Sequence, residues 1–294
     1  MKIKAIISAT TFTVLTMATV FIRIMQSAVM IDPTTGFYKP SYETFEPVFL
    51  ILLFGFIAVY FLWAMLSKNY PKLENHFIKS KGLGVLTLIF AVVSAFRTLE
   101  YMLLNQGEQM TATQYILFVI FGAFTVFLLF FAVMLLRGYK TPAELFLIPS
   151  LFGAARFAVT FINYVDVIKV TDIILTLTML GFTMMFWHMF ARINAGLATK
   201  GTVKMMYGFG FPAALLCFAC SVPKYYMSFF LPETSIHVSK HISYFDFAAG
   251  IYIAAFLIMA SMATVHSYYD EPDETVEVDD PIDIDDSIDV NEVL

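Results

Sequence analysis

A few ionisable side chains stand within long apolar stretches of this sequence, where packing alone does not explain them. Arg23 lies in VFIRIM, Arg97 and Glu100 lie in FRTLEY, and Arg156 lies in GAARF. An ionised side chain at the centre of an apolar medium costs about 2.5–3.5 kcal/mol on membrane-insertion scales, so it needs a partner or a ligand. These four residues, with the amide of Asn163, are the first candidates for a binding site.

The spacing of these residues leaves two arrangements open. Arg97 and Glu100 are three residues apart, so a helix places them on one face, where they form a salt bridge or reach the lipid headgroups. Alternatively, they line an outward-opening cavity with Arg156, which lies too deep to reach the membrane surface and needs a carboxylate, carbonyls, water or an anion. Two bases and one acid favour a small anionic or zwitterionic ligand, with Arg23 and Asn163 nearby.

No motif in the sequence indicates an enzyme. Cys217 and Cys220 have the C-x-x-C spacing of redox proteins, but they lie in an uninterrupted apolar run where thiols serve as small packing groups. His237 and His241 share an i, i+4 spacing in a loop, which is weak support for a metal ion. The sequence therefore nominates no catalytic residue, no cofactor and no metal ligand.

The composition indicates the medium in which the candidate residues lie. The 294 residues are 59% hydrophobic and 14% charged, whereas charged residues make up about 25% of an ordinary soluble domain. So much apolar surface needs a lipid bilayer around it. Two cysteines are too few for a disulfide framework, and a net charge of -5 has the wrong sign for nucleic-acid binding, so both of those classes are excluded.

Transmembrane helices are the elements that must position the candidate residues. A helix needs about 20 apolar residues to cross a bilayer, and no apolar stretch alternates with the period of two that a β-barrel strand has. We predict an all-α polytopic helix bundle over residues 1–269, with breaks at Pro149 and Pro212. Its eight spans lie at about residues 5–25, 46–66, 83–104, 113–136, 144–164, 170–192, 204–226 and 244–266.

The positions of lysine and arginine predict the orientation of the bundle. With the N-terminus in the cytoplasm, eleven of them lie in inner segments, while Lys39, Lys169 and Lys240 lie in outer loops. This distribution agrees with the positive charge typical of cytoplasmic loops, and eight spans return the C-terminus to the cytoplasm. Four acids lie level with the embedded arginines, toward the outer end: Glu46, Asp166, Asp172 and Asp246.

The connection after the first span contains the segment DPTTGFY at residues 32–38. Its Asp-Pro pair starts a turn, and Gly36 can supply a positive φ. An arginine-bearing first helix followed by DPxTGFY resembles uncharacterised multi-span membrane proteins of anaerobic Gram-positive bacteria. The resemblance implies a bacterial plasma membrane and implies nothing about chemistry.

The end of the chain differs in charge from the rest. Residues 270–294 contain twelve acids and no lysine or arginine, whereas residues 1–269 have eighteen bases and eleven acids. We predict that this acidic segment is a disordered cytoplasmic tail, because it cannot bury an apolar core. The sequence thus favours a transporter or sensor with an outward-facing polar pocket. The alternative is a membrane scaffold whose acidic tail binds a basic cytoplasmic protein.

Overall fold

The computed structural model describes residues 2–32, 38–66, 80–104, 111–164, 171–230 and 244–266. A π-helical turn, Gln26–Met30, extends the first helix, and 3-10 turns at Pro40–Tyr42 and Ala143–Phe146 precede the second and fifth. The long helices are α1 (Lys2–Met25), α2 (Phe45–Leu66), α3 (Lys81–Leu104), α4 (Ala112–Arg137), α5 (Leu147–Tyr164), α6 (Thr171–Asn194), α7 (Lys200–Phe230) and α8 (Tyr244–His266).

Within the described residues, eight helices are long and apolar enough to cross a membrane. The predicted all-helical fold with eight long apolar helices is therefore confirmed. The side of the membrane that each end faces stays a prediction. The acidic segment 270–294 and the loop residues Asp166, Lys169, His237, Lys240 and His241 lie outside the described residues.

Local sequence signals explain where α4 begins and ends. Thr111 and Gln114 form a capping box in which each side chain accepts a hydrogen bond from the backbone N–H of the other residue. This arrangement satisfies backbone donors that have no partner in the first helical turn. At the other end, Gly138 takes a φ of 73°, a conformation that a glycine adopts without steric cost, and the helix stops there.

Helix α7 lies at the centre of the bundle, in contact with α1, α2, α6 and α8. In the most apolar part of α7, 78% of the residues are buried. Close approach between helices requires small residues: a Cβ atom on Gly250 of α8 would lie 2.9 Å from the Cβ atom of Cys217. Cys217 and Cys220 are both buried and free, as packing groups would be.

Neither of the two prolines that the sequence marked as breaks ends a helix, and a kink at either position stays a prediction. Pro149 lies in the first turn of α5, where proline is tolerated, because the helix begins at Leu147. Helix α7 continues through Pro212 and also through Pro223. The expected interruption of the seventh span therefore does not end the helix, because contacts with the surrounding helices can offset the lost backbone bonds.

Aromatic rings fill the core between α3, α4, α6 and α8. Phe90 stacks on Tyr252 with ring centroids 5.0 Å apart, and Phe124 meets Trp187 edge-on at 5.2 Å. Phe245, in the first turn of α8, contacts Phe90 at 5.3 Å. The aromatic core therefore fixes the position at which α8 begins.

Candidate functional site

Three arginine–carboxylate pairs lie at one end of the bundle, which we call the paired end. It is the end at which α1, α3 and α5 finish and α2, α6 and α8 begin. The pairs are Arg23–Asp172, Arg97–Glu100 and Arg156–Asp246. Each arginine that the sequence singled out thus has a carboxylate partner.

Arg156 on α5 is held by α8 and by two aromatic rings. Its Nη2 atom lies 2.5 Å from Oδ1 of Asp246. Its guanidinium carbon lies 5.0 Å from the ring centroid of Phe245 and 5.7 Å from that of Phe121, and such cation–π contacts contribute about 0.5–2 kcal/mol each. The exposed fractions of the Arg156 and Asp246 side chains are 14% and 9%, so little water screens their attraction.

Arg97 and Glu100 form the salt bridge that their spacing on α3 allows. The Tyr244 hydroxyl donates a hydrogen bond of 2.6 Å to Oε2 of the same glutamate. Tyr244 and Asp246 both belong to the first turn of α8, so this turn contacts the acid on α3 and the base on α5. A displacement of α8 therefore alters two ion pairs at once.

Arg23 belongs to a second group, which is formed by α1, α2 and α6. Its Nη2 atom pairs with Oδ1 of Asp172, and its Nη1 atom donates a hydrogen bond of 2.7 Å to Oε1 of Gln26. Gln26 begins the π-helical turn after α1, and such wide turns are frequent at functional sites. The Thr171 hydroxyl, next to Asp172, donates a hydrogen bond to Glu46 at the start of α2.

Tyr38 joins this second group from the connection after α1. Its backbone pairs with that of Ile31 in an isolated antiparallel bridge. Burial raises the pKa of Tyr38 to about 12, an effect that the positive charge of Arg23 opposes and the negative charge of Glu46 reinforces. The Tyr38 hydroxyl is therefore protonated at neutral pH and can donate a hydrogen bond.

By hydrogen-bond geometry, three polar atoms of this second group have no partner among the described residues: Arg23 Nε, Gln26 Nε2 and Tyr38 Oη, although the Thr171 hydroxyl lies close enough to Tyr38 to lower its pKa. The exposed fractions of Arg23, Gln26 and Tyr38 are 2%, 0% and 8%. A buried donor without an acceptor costs about 1–3 kcal/mol, and native structures leave few of them. The chain therefore supplies donors at this place without supplying their acceptors.

The paired end can recognise charged and hydrogen-bonding groups through its arginine, carboxylate and hydroxyl side chains. No family model, curated protein or solved structure matches the chain. The chemistry of these side chains is therefore what indicates a function. In the described part of the chain, no three His, Cys, Asp or Glu side chains are grouped so that they could hold a metal ion.

The five residues that the sequence proposed for a ligand site lie near the paired end, but not in one group. Arg97, Glu100 and Arg156 are linked through the first turn of α8. Arg23 lies instead with the residues of α2 and α6. Asn163 is exposed near the end of α5, about two helical turns beyond Arg156 and on the same face.

Asp172 and Asp246 were predicted to lie level with the arginines but were not among the predicted site residues. Gln26, Tyr38 and Tyr244 were not predicted as site residues either. Gln26 carried a signal, because it follows Arg23 by three residues and therefore shares its helical face. Tyr38 and Tyr244 carried none, since a tyrosine near the end of a span is ordinary in membrane proteins.

Proposed function

We propose that this chain is a multi-pass protein of the plasma membrane that binds a small zwitterionic or anionic solute at the paired end, as a transporter or a sensor. The observation that carries this proposal is that ion pairs link different helices within the apolar bundle. Arg23–Asp172 links α1 to α6, and Arg156–Asp246 links α5 to α8. Apolar side chains would hold the helices together as well or better, so the charges favour a role in recognition.

The pairing of the charges favours a zwitterion over a simple anion. An anion that bound Arg156 would displace Asp246 and leave that carboxylate desolvated without a counter-charge. A ligand with both an acidic and a basic group can replace each partner in turn, so that no charge is left unpaired. The numbers of positive and negative charges at the site then stay equal.

We further propose that binding at the paired end acts on the cytoplasmic tail through α8. The lysine and arginine distribution supports a paired end that faces outward and a cytoplasmic acidic tail. Helix α8 contacts Glu100 and Arg156 at its start, and its last residue, His266, precedes the acidic segment by a few residues. A ligand that separates Arg156 from Asp246 would therefore act on the helix that leads to the tail.

A membrane scaffold is the second candidate, and one specific observation favours it. Arg97 and Glu100 are paired with each other, as a scaffold with sealed helices requires. In that case the acidic segment 270–294 is the functional part, and it docks a basic cytoplasmic protein. A scaffold needs no solute at the paired end, which separates the two candidates.

The test is a thermal-unfolding screen of the full-length protein purified in detergent. The probes are a mixture of L-amino acids, the amines that lack their carboxylate, and short carboxylic acids that lack the amine. A ligand present at about 100 times its Kd stabilises the folded state by about 2.7 kcal/mol, which raises the Tm measurably. We expect the amino acids to raise the Tm more than either class of fragment.

Variants then connect any stabilisation to the paired end. Three double variants each remove one ion pair without leaving a single charge behind: R23M/D172L, R97M/E100L and R156M/D246L. At least one of them should lose the stabilisation by the probe, whereas Arg137→Met, an exposed base at the opposite end of α4, should keep it. No stabilisation of the wild type, or its persistence in all three variants, would refute the proposal and favour the scaffold.

A further inference from the structure

We infer that Arg23, Gln26 and Tyr38 form the carboxylate subsite of the ligand site, and that Asp172 and Glu46 receive the ammonium group of the same ligand. The ligand is thus an α-amino acid or a group with the same chemistry. This inference rests on the proposed function and selects one of the three ion pairs as the place of binding.

The donors of the subsite are defined by the bonds that the chain already makes. The two terminal nitrogens of Arg23 are used by Gln26 and Asp172, which leaves the Nε–H group without an acceptor. Because Oε1 of Gln26 accepts from Arg23, its NH2 group must be the end that has no partner. The Tyr38 hydroxyl is the third buried donor.

Side-chain and backbone hydrogen bonds connect the residues that carry these donors. The bond of 2.7 Å between Arg23 Nη1 and Gln26 Oε1 holds the guanidinium against the amide. The π-helical turn ends at Met30, whose carbonyl accepts a hydrogen bond of 2.9 Å from the Lys39 N–H group. This bond places Tyr38 beside the turn that begins with Gln26.

The number and type of free donors point to a carboxylate. An ionised carboxylate has about four acceptor sites and no donor, so it can satisfy all three groups at once. Arginine and hydroxyl donors to a carboxylate make charge-assisted hydrogen bonds, which are stronger than neutral ones. A water molecule accepts fewer hydrogen bonds and brings no charge.

The surrounding charges require the ligand to carry a positive group as well. Arg23 contributes one positive charge, whereas Asp172 and Glu46 contribute two negative charges that also act on Tyr38. A carboxylate alone would add a third negative charge. An ammonium group on the same ligand cancels that charge. The Asp172 side chain is 36% exposed, so this acid lies at the rim, where an ammonium group can arrive from water.

A free amino acid and the serine headgroup of phosphatidylserine share this ammonium–carboxylate chemistry. The way in which the protein is prepared distinguishes these two candidate ligands. Free amino acids are offered to the full-length protein in detergent, and phosphatidylserine is offered in lipid nanodiscs, with phosphatidylcholine nanodiscs as the reference.

The experiment measures binding of a radiolabelled L-amino-acid mixture to the full-length protein by scintillation proximity, and the Tm in the two kinds of nanodisc. Gln26→Leu keeps the shape of the side chain and removes its donors, and Tyr38→Phe removes one oxygen. Each should weaken binding at least about tenfold, because each removes a hydrogen bond to a charged group. If Gln26→Leu fails to fold, Tyr38→Phe alone decides.

The matched control is Tyr60→Phe. Tyr60 on α2 is as buried as Tyr38, and its hydroxyl also lacks a partner in the described structure, but it lies several turns from the paired end. This variant should bind the amino-acid mixture like the wild type. An equal loss in Tyr60→Phe and Tyr38→Phe would overturn the subsite, because the loss would then be a general effect of burial.

The remaining outcomes also decide the inference. Loss of binding in Gln26→Leu and Tyr38→Phe supports a free amino acid as the ligand. A Tm rise confined to phosphatidylserine nanodiscs and lost in the same two variants supports the lipid headgroup. A third outcome is that amino acids bind to the wild type and to R23M/D172L but not to R97M/E100L or R156M/D246L. That result would refute the subsite and leave the proposed function standing. If no zwitterion binds in either preparation, both are refuted.

Discussion

Replacing Asp246 by asparagine leaves the Arg156 guanidinium without a counter-charge where only 14% of that side chain is exposed. Removing one partner of a buried ion pair costs about 3–5 kcal/mol, because the remaining charge stays desolvated. The contacts of Arg156 with the rings of Phe121 and Phe245 persist in this variant, and the asparagine oxygen can still accept a hydrogen bond. We therefore expect the lower end of that range, a loss of about 3 kcal/mol.

The double variant R156M/D246L supplies the comparison. It removes both charges and fills the space with apolar groups, so its free energy of unfolding should lie within about 1–2 kcal/mol of the wild type. Arg156→Met and Asp246→Leu are the matching single variants, and the difference between their summed losses and the loss in R156M/D246L is the coupling energy of the pair. Unfolding by titration with SDS, followed by tryptophan fluorescence and circular dichroism, measures these variants, Asp246→Asn and the wild type in one detergent.

Two results would refute this reasoning. One is a loss below about 1 kcal/mol in Asp246→Asn, which is the range of an exposed salt bridge. The other is a double variant that loses as much as the two single variants together, because additive losses mean that the side chains do not interact. Arg137→Met, at an exposed position, should change stability by no more than about 0.5 kcal/mol and shows that charge removal alone has little effect.

Three further predictions concern topology, the tail and helix packing. Reporter fusions after residues 39 and 79 should lie on opposite sides of the membrane, and a common side would contradict the orientation. Deletion of residues 270–294 should leave the Tm in detergent unchanged, because the segment is too acidic to bury apolar area; a large drop would show that it packs on the bundle. Gly250→Ala should destabilise the protein by about 1–3 kcal/mol, since its Cβ atom would lie 2.9 Å from that of Cys217. Gly55→Ala, which meets no atom within 4 Å, should not, and equal Tm values for the two variants would contradict the packing of α7 against α8.

The helices were predictable because each is an apolar stretch of about the length that crosses a bilayer. Predicted spans such as 46–66 and 244–266 differ little from α2 and α8, since polar segments flank both stretches. Helix α7 extends beyond the predicted 204–226 at both ends, from Lys200 to Phe230, and it packs against α1, α2, α6 and α8. Such contacts are tertiary, so a window of sequence does not contain them.

The pairing of charges was less predictable than their presence. The cost of a charge in an apolar stretch marks Arg23 and Arg156 as residues that need partners. The partner of Arg23 is 149 residues away, and the partner of Arg156 is 90 residues away. Which acid meets which base depends on the order in which the helices pack. Gln26 was overlooked although it shares a helical face with Arg23, because the partners considered for that arginine were charged groups.

Labelling of cysteines on α5 from outside the cell tests most directly whether the paired end opens outward. Three single cysteines, in a background with Cys217 and Cys220 replaced by alanine, follow one face of α5: Asn163→Cys at its end, Arg156→Cys in the ion pair and Phe152→Cys one turn deeper. A membrane-impermeant thiol reagent should modify the first two and spare the third, because Phe152 is 1% exposed. Modification of Asn163→Cys alone would show a sealed bundle and contradict a solute site, and no modification of Asn163→Cys would contradict the orientation.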